Sequence, residues 1–361
     1  MKKILLIGPL PEPTTGVSLA NKVVAENLDK DEAYTISTIN TSYDRFDENI
    51  GAFSISKALF FIKQNFLAYK IFGVNAVYLT PGQTFFGVIK YAFFILLSRV
   101  LNKEIIIHIH GNYLGTEYSL LKGIKKRLFK FLLSKSNKGV VLSESLKGNL
   151  SPFIQQDNIY VLYNFVEDYL FKEKSVPDKQ EILIPKIIFL SNLMEEKGIF
   201  DLLDALRTLE DSGFNFEAKI AGNIDKSNQA KCKTYFTKLK KVSYVGVVKG
   251  GEKKSLLEWG NIFILPTYYK MEGQPISILE AMSTGNIVLT TKHAGIPDIF
   301  TDSKNGFYVE KRNPNDIANK IKQVAVNDDL SRDIIDQNLI FSEQKYRVSN
   351  FINNLKTIFE A

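Results

Sequence analysis

The chain is poor in the residues that hold metals and cross-links. A single cysteine, Cys232, among 361 residues excludes an internal disulfide framework and a thiolate zinc cage. Three histidines, His108, His110 and His293, are too few for a histidine-rich metal site. Long apolar runs are missing as well. The longest, residues 85–97, contains Lys90 and falls short of the roughly twenty residues a spanning helix needs. The opening Met1-Lys2-Lys3-Ile4-Leu5-Leu6-Ile7-Gly8 has too short an apolar stretch for a signal peptide and reads as a strand, so a cytoplasmic protein is expected. The loop that follows, residues 8–18, lacks the compact G-x-G-x-x-G of dinucleotide enzymes, which counts against an NAD-dependent oxidoreductase.

Acidic residues are also missing from one region. Residues 51–100 hold five basic side chains and no acidic one, and residues 101–150 hold nine basic against three acidic. Residues 1–50 and 151–361 are slightly acidic, so the whole excess behind the net charge of +7 lies in 51–150. Within it, residues 118–139 carry Lys122, Lys125, Lys126, Arg127, Lys130, Lys135 and Lys138 without an acid. Leu120, Leu121, Ile124, Leu128, Phe131, Leu132 and Leu133 fall between them at spacings that give a helix one apolar and one basic side. A surface helix packed on its own domain accounts for this pattern. So does a patch of Lys122, Lys125, Lys126, Arg127 and Lys130 that adheres to an anionic membrane surface or to an acceptor held there. Nucleic acid is disfavoured, because no base-reading motif accompanies the charge.

Forty-five per cent hydrophobic residues describe a globular protein, and 361 residues suit two domains. Short β-rich runs alternate with longer helical patterns, which predicts parallel sheets covered by helices. The runs are residues 3–7, 34–38, 76–79, 105–110, 139–142 and 160–162, then 186–191, 217–220, 244–245, 262–265, 287–290 and 306–309. Residues 1–166 form the first domain, 167–184 a charged linker without period, and 185–330 the second domain. A helical segment, 331–361, follows. Doubly wound sheets bind ligands beyond the carboxyl ends of their strands, so the chemistry is sought in the loops there.

Three such loops carry distinctive residues. After residues 262–265 comes Glu272-Gly273-Gln274-Pro275-Ile276-Ser277-Ile278-Leu279-Glu280. Gly273 permits close backbone approach, Pro275 suits a helix start, and free N–H groups there favour a phosphate. After residues 186–191 comes Asn192-Leu193-Met194-Glu195-Glu196-Lys197-Gly198, where Lys197 could neutralise charge on a departing diphosphate. The third is His293-Ala294-Gly295-Ile296-Pro297-Asp298. In the first half, residues 105–110 end at His110-Gly111.

Together these motifs resemble the retaining GT-B glycosyltransferases of family four, also called glycosyl transferases group 1. The Glu272/Glu280 pair is similar to that family's paired glutamates, the Ser191–Gly198 loop to its phosphate loop, and the Gly295-Ile296-Pro297-Asp298 loop to its Gly-Ile-Pro-acid loop. The resemblance implies a GT-B fold: an α/β protein of two Rossmann-like, doubly wound domains facing a central cleft, with the C-terminal segment crossing back to the first domain. It implies that Glu280 holds the donor's ribose hydroxyls and that Glu272 contacts the donor sugar. Backbone N–H groups around Gly273, Gln274 and Ile276 would seat sugar and phosphate, Lys197 would bind the diphosphate, His110 would reach the donor sugar, and Gly16 would lie near the diphosphate. Asn192 stands where the family usually has an arginine; it donates a hydrogen bond but brings no charge.

The implied reaction is retaining transfer of a hexose from a nucleotide-sugar, with uridine the commonest base in the family and guanosine open. No cofactor or metal is implied. The acceptor would be a saccharide or polyprenyl-diphosphate-linked saccharide in bacterial capsule, O-antigen or other surface polysaccharide assembly. The enzyme would be peripheral at the inner face of the cytoplasmic membrane. A GT-B epimerase or phosphorylase shares the fold, and a non-catalytic membrane-binding protein would need only the patch.

Overall fold

The computed structural model describes residues 1–43, 55–171 and 184–361. Each of the twelve β-rich runs is a strand. In the first half they are β1 (Lys2–Gly8), β2 (Tyr34–Asn40), β3 (Ala76–Leu79), β4 (Glu104–Ile109), β5 (Lys138–Val141) and β6 (Ile159–Val161). In the second they are β7 (Lys186–Leu190), β8 (Glu217–Ala221), β9 (Val242–Gly246), β10 (Ile262–Leu265), β11 (Ile287–Thr290) and β12 (Gly306–Tyr308). They form two parallel six-stranded sheets, ordered β2-β1-β3-β4-β5-β6 and β12-β11-β10-β7-β8-β9. Central strands are buried along their whole length because helices cover both faces, so they read as unbroken apolar runs rather than alternating ones.

The helices of the first half are α1 (Gly16–Leu28), α2 (Ile55–Asn65), α3 (Phe85–Ile89), α4 (Ala92–Val100), α5 (Leu114–Leu120) and α6 (Gly123–Leu133). Those of the second are α7 (Ile199–Asp211), α8 (Gln229–Lys238), α9 (Gly250–Trp259), α10 (Ile276–Ser283), α11 (Pro314–Ala325), α12 (Asp328–Lys345) and α13 (Val348–Glu360). Contacts divide the chain into two units: Met1–Asn164 with Met271–Gln274 and Phe351–Ala361, and Phe165–Lys270 with Pro275–Asn350. Of the linker expected at 167–184, residues 172–183 lie outside the described residues, and Asp168–Leu170 form a 3₁₀ turn.

In the first unit, strand alternation sends Leu5, Ile7, Val77, Leu79, Ile105 and Ile107 to one face of the sheet. There they form one core with Phe94 and Ile95 of α4 and Phe129 and Leu132 of α6. Tyr78 and His108 point to the other face, where the Tyr78 ring meets Phe359 of α13 edge-on at 5.6 Å. Helix α13 is tied down at its C-terminal end. Lys2 and Lys138 donate to the carbonyls of Phe359 and Ile358, the orphan acceptors and negative dipole end of that helix. Both lysines also pair with Glu104, and Lys356 of α13 pairs with Asp31.

Two helical expectations are corrected. Residues 118–139 are not one helix: α5 ends at Leu120, Leu121 is extended, and α6 starts at Gly123, whose φ of +55° suits glycine. Residues 331–360 likewise split into α12 and α13 at Tyr346–Arg347, where Arg347 bridges Val166 and the Tyr346 carbonyl accepts from the Val166 N–H at 2.7 Å.

Candidate active site

In the second sheet the chain order reverses between β10 and β7, so the crevice at their carboxyl ends is the place where such sheets hold ligands. The three motif loops follow β7, β10 and β11, which are neighbours in that sheet. After β7, residues Glu195–Lys197 make a 3₁₀ turn, and Gly198 then takes φ +78° to open α7. A Cβ on Gly198 would stand 2.4 Å from the Pro266 carbonyl oxygen, so this turn rests directly on the loop after β10. The Tyr268 N–H donates to the Glu196 carbonyl at 2.8 Å, and the Lys197 ammonium lies 5.0 Å from the centre of the Tyr269 ring. His293, after β11, binds the Tyr269 carbonyl through Nε2 at 2.8 Å. Asn192 is exposed at the end of β7.

Helix α10 starts at Ile276 with Pro275 as its N-cap and no side-chain cap, which leaves first-turn N–H groups for a ligand. Glu280 lies just over one turn along, 4% exposed. Its Oε1 accepts from Lys253 of α9 at 2.5 Å, and Lys253 donates also to Glu167 Oε2 at 3.1 Å. Burial raises the Glu280 carboxyl's pKa, and the Lys253 charge and hydrogen bond oppose that rise. Sequence reasoning missed Lys253 and Glu167, which carry no motif; only α9's position after β9 brings Lys253 beneath α10.

In the first unit the order reverses between β1 and β3. Gly8 ends β1 there, and a Cβ on it would lie 2.0 Å from Thr80 Oγ1. Gly16 is exposed as the first residue of α1, whose N-cap Thr15 forms a capping box with Ser18. His110 follows β4. Its ring centre lies 3.8 Å from that of His108, whose Nδ1 is bonded to the Tyr78 hydroxyl. Burial pushes His110 down to about 3 and His108 below its usual value, so both rings are neutral at pH 7. His110 Nε2 is buried without a hydrogen-bond partner.

The segment Met271–Gln274 belongs with this unit. A Cβ on Gly273 would lie 2.9 Å from the His110 carbonyl oxygen and 3.0 Å from Gly111 Cα, so only glycine lets the two loops touch. Glu272 is buried beside this contact. The Gln274 side chain is consumed by structure: Oε1 accepts from the Asn164 N–H at 2.6 Å and Nε2 donates to the Leu142 carbonyl at 3.0 Å. Gln83 pins the same loop through the Met271 carbonyl at 3.2 Å. Thus His110, Glu272, Gly273 and Gln274 are brought together in one unit, while in the other Asn192 and Lys197 lie between β7 and α7 and Ile276 and Glu280 lie in α10.

The apolar side expected of the basic run is rearranged. Lys122, Lys125, Arg127 and Lys130 are exposed, and Lys126 covers the Tyr118 ring at 4.7 Å. Lys138, in the same basic run but outside that patch, is buried in β5. The buried stripe of α6 is Phe129, Leu132 and Leu133, whereas Leu120 (63% exposed), Ile124 (81%) and Phe131 (48%) face outward with the bases. Among the described residues no helix is long and apolar enough to cross a membrane.

Comparison with known proteins bears on the fold and on the second half of the chain. Residues 171–339 match the family described as glycosyl transferases group 1. An uncharacterized glycosyltransferase of Methanocaldococcus jannaschii is 24% identical over 268 residues, 73% of this chain and 70% of its own length. A capsular polysaccharide biosynthesis glycosyltransferase of Staphylococcus aureus, CapM, is 24% identical over 210 residues, 55% of this chain and 54% of its own. Anabaena HepE, solved in complex with UDP and glucose, superposes with a TM-score of 0.75 at 16% identity, each chain fully covered. The chain has the GT-B fold, and its residues 171–339 are similar to the glycosyl transferases group 1.

Proposed function

We propose that the protein is a retaining glycosyltransferase that moves a hexosyl group from a UDP-sugar to a saccharide hydroxyl on a lipid-linked acceptor, in the assembly of a bacterial surface polysaccharide. The observation that carries this reading is the meeting of the Lys197 and Tyr269 loops, with Glu280 buried in the helix that follows, at the reversal point of the second sheet. Glu280 accepts the ribose hydroxyls. Lys197 and the first-turn N–H groups at Ile276 receive the diphosphate, the ammonium countering the charge that grows on the leaving oxygen.

In the reaction the bond from the anomeric carbon to the β-phosphate oxygen breaks and a bond to the acceptor oxygen forms on the same face. The acceptor proton passes to the departing phosphate. Neutral His110, with its buried Nε2 unpartnered, orients a donor-sugar hydroxyl by hydrogen bonding and not by charge. Glu272 accepts from other sugar hydroxyls. No metal is assigned a role, so chelation with EDTA should leave turnover unchanged.

The capsular relative supports the polysaccharide reading, and the UDP in HepE supports the donor base. We place the enzyme on the cytoplasmic face of an anionic membrane, held by the exposed bases and apolar side chains of α6 and its neighbours. Calorimetric titration with UDP, GDP, ADP and dTDP tests the donor assignment. UDP is expected to bind, and Glu280→Ala to abolish that binding; binding that survives in Glu280→Ala refutes the nucleotide site. A panel of UDP-sugars with saccharide acceptors then tests turnover, and an α-anomeric product from an α-linked donor tests retention.

A further inference from the structure

The ion cluster behind Glu280 lies outside the recognisable motifs. Lys253 comes from the first turn of α9, Glu280 from the middle of α10, and Glu167 from the segment just after the Val166–Arg347 bridge. Their side chains are 13%, 6% and 27% exposed. The ammonium lies between the two carboxylates, at 2.5 Å from Glu280 Oε1 and 3.1 Å from Glu167 Oε2. Tyr169 closes the cluster, its hydroxyl 3.4 Å from Glu167 Oε2 and its ring 5.8 Å from the ammonium. The bond to Oε1 leaves Glu280 Oε2 without a donor among the described residues.

We infer that Lys253 is a positioning residue for nucleotide recognition: it fixes one oxygen of Glu280 and sets its ammonium against that carboxyl, so that the other oxygen is presented to a neutral vicinal diol. This rests on the reading of Glu280 as the ribose-binding group. The charge count gives the specificity. Two carboxylates face one ammonium, so the cluster keeps a net negative charge. A hydroxyl that donates is favoured there; a phosphate on the same ribose is repelled, and a deoxyribose leaves the oxygen unpaired.

Without Lys253, Glu280 would be buried facing Glu167 and Tyr169, the other ionisable groups around it, and nothing would oppose the upward push that burial gives its carboxyl. A protonated carboxyl offers the diol a weaker acceptor, and raising the pH restores the charge. A side chain that merely fills space would give no such pH dependence.

Calorimetric affinities of UDP and 2′-deoxy-UDP are to be measured from pH 6 to 8.5 for the unmodified chain, Lys253→Met, Lys253→Arg and Glu167→Gln, together with a carboxyl-carbon NMR titration of Glu280 in the absence of nucleotide. The unmodified chain should prefer UDP at every pH, with Glu280 ionised throughout. Lys253→Met should lose about tenfold in UDP affinity at pH 6, lose the preference over the deoxy compound, and recover both by pH 8.5. Lys253→Arg and Glu167→Gln should keep the preference, because both leave a cation on Glu280. A Lys253→Met variant that keeps a pH-independent preference overturns the inference, and so does its loss in Glu167→Gln. If the unmodified chain binds no nucleoside diphosphate, the ribose reading of Glu280 fails; the carboxyl titration then judges the lysine alone, and a Glu280 signal unmoved in Lys253→Met refutes its role. Should Lys253→Met not fold, Lys253→Arg and Glu167→Gln decide by whether they retain the preference.

Discussion

A single missing charge distinguishes the phosphate loop. Asn192 is exposed at the end of β7 and Lys197 is half-buried against Tyr269, so under the proposed function the loop offers a diphosphate one cation. Lys197→Met should lower kcat by about 100-fold, the loss typical of removing one group that stabilises a developing anion. Asn192→Arg should raise UDP affinity by roughly fivefold, as an exposed charge does, and the gain should fade in high salt. A salt-independent gain would point to packing instead. The neutral histidines make a separate prediction about acid stability. His110 is held at about 3 in the folded chain, and His108 is also lowered, whereas an unfolded chain takes up protons near the ordinary value of 6.5. Their stabilising contribution is therefore complete above that value and is lost as pH falls toward 3. The His110 ring removes about 1.4 kcal/mol per pH unit over that window, and His108 acts in the same direction. Urea unfolding at pH 7 and 5.5 should show the decline, and His108→Leu should flatten it; equal slopes in both proteins would count against buried neutral rings.

At the scale of elements, Lys138 shows how a residue can be misread from its neighbours. In sequence it continues a basic helix; in the fold it is a strand residue, buried, paired with Glu104 at 2.6 Å and bonded to the Ile358 carbonyl at the end of α13. Lys138→Met leaves Glu104 less compensated and α13 without one cap, and should lower the unfolding free energy by about 3 kcal/mol. Exposed Lys130→Met should change it by no more than about 0.5 kcal/mol. Denaturant titration of the two variants separates them. The strands were legible because buried parallel strands are short apolar runs between turn residues, and the motif loops were legible because they follow those strands. Helix partition was not. Residues 118–139 keep one periodicity across Leu121–Lys122, and nothing in that periodicity marks the extended break. The outward face of α6 was unreadable for a related reason: an apolar residue at helical spacing looks the same whether it packs on the core or faces solvent. Lys253 escaped notice because its meaning comes from Glu280 and Glu167, far from it in sequence. Gln274, on the motif loop, has its side-chain oxygen committed to the Asn164 N–H and one amide hydrogen to the Leu142 carbonyl.

Over the whole molecule, charge and exposed apolar surface coincide on the first unit, and that coincidence supports the membrane placement proposed above. Residues 51–150 hold the entire positive excess, while the rest of the chain is mildly acidic. In the same span, the 3₁₀ helix Phe66–Gly73 presents Phe66, Tyr69 and Phe72 outward, 78%, 64% and 63% exposed; a threefold repeat aligns i and i+3, so the three rings form one row. That helix packs on α4, which exposes Phe93, and α4 packs on α6, which exposes Ile124 and Phe131 among its bases. Apolar side chains rimmed by lysines suit the boundary between headgroups and acyl chains, and each base near an anionic surface adds about 1 kcal/mol. Replacing Lys125, Lys126 and Arg127 with alanine should weaken binding to phosphatidylglycerol-containing vesicles by roughly 100-fold in low salt. Replacing Phe66, Tyr69 and Phe72 with serine should remove a part that salt does not screen, because apolar burial does not depend on counter-ions. Turnover of a soluble acceptor should survive both sets, since none of these residues belongs to the strand-end loops. Co-sedimentation with charged and neutral vesicles reads the first two effects. Equal binding to neutral vesicles would refute the role of charge, and loss of soluble-acceptor turnover in the lysine set would place these bases in acceptor recognition instead.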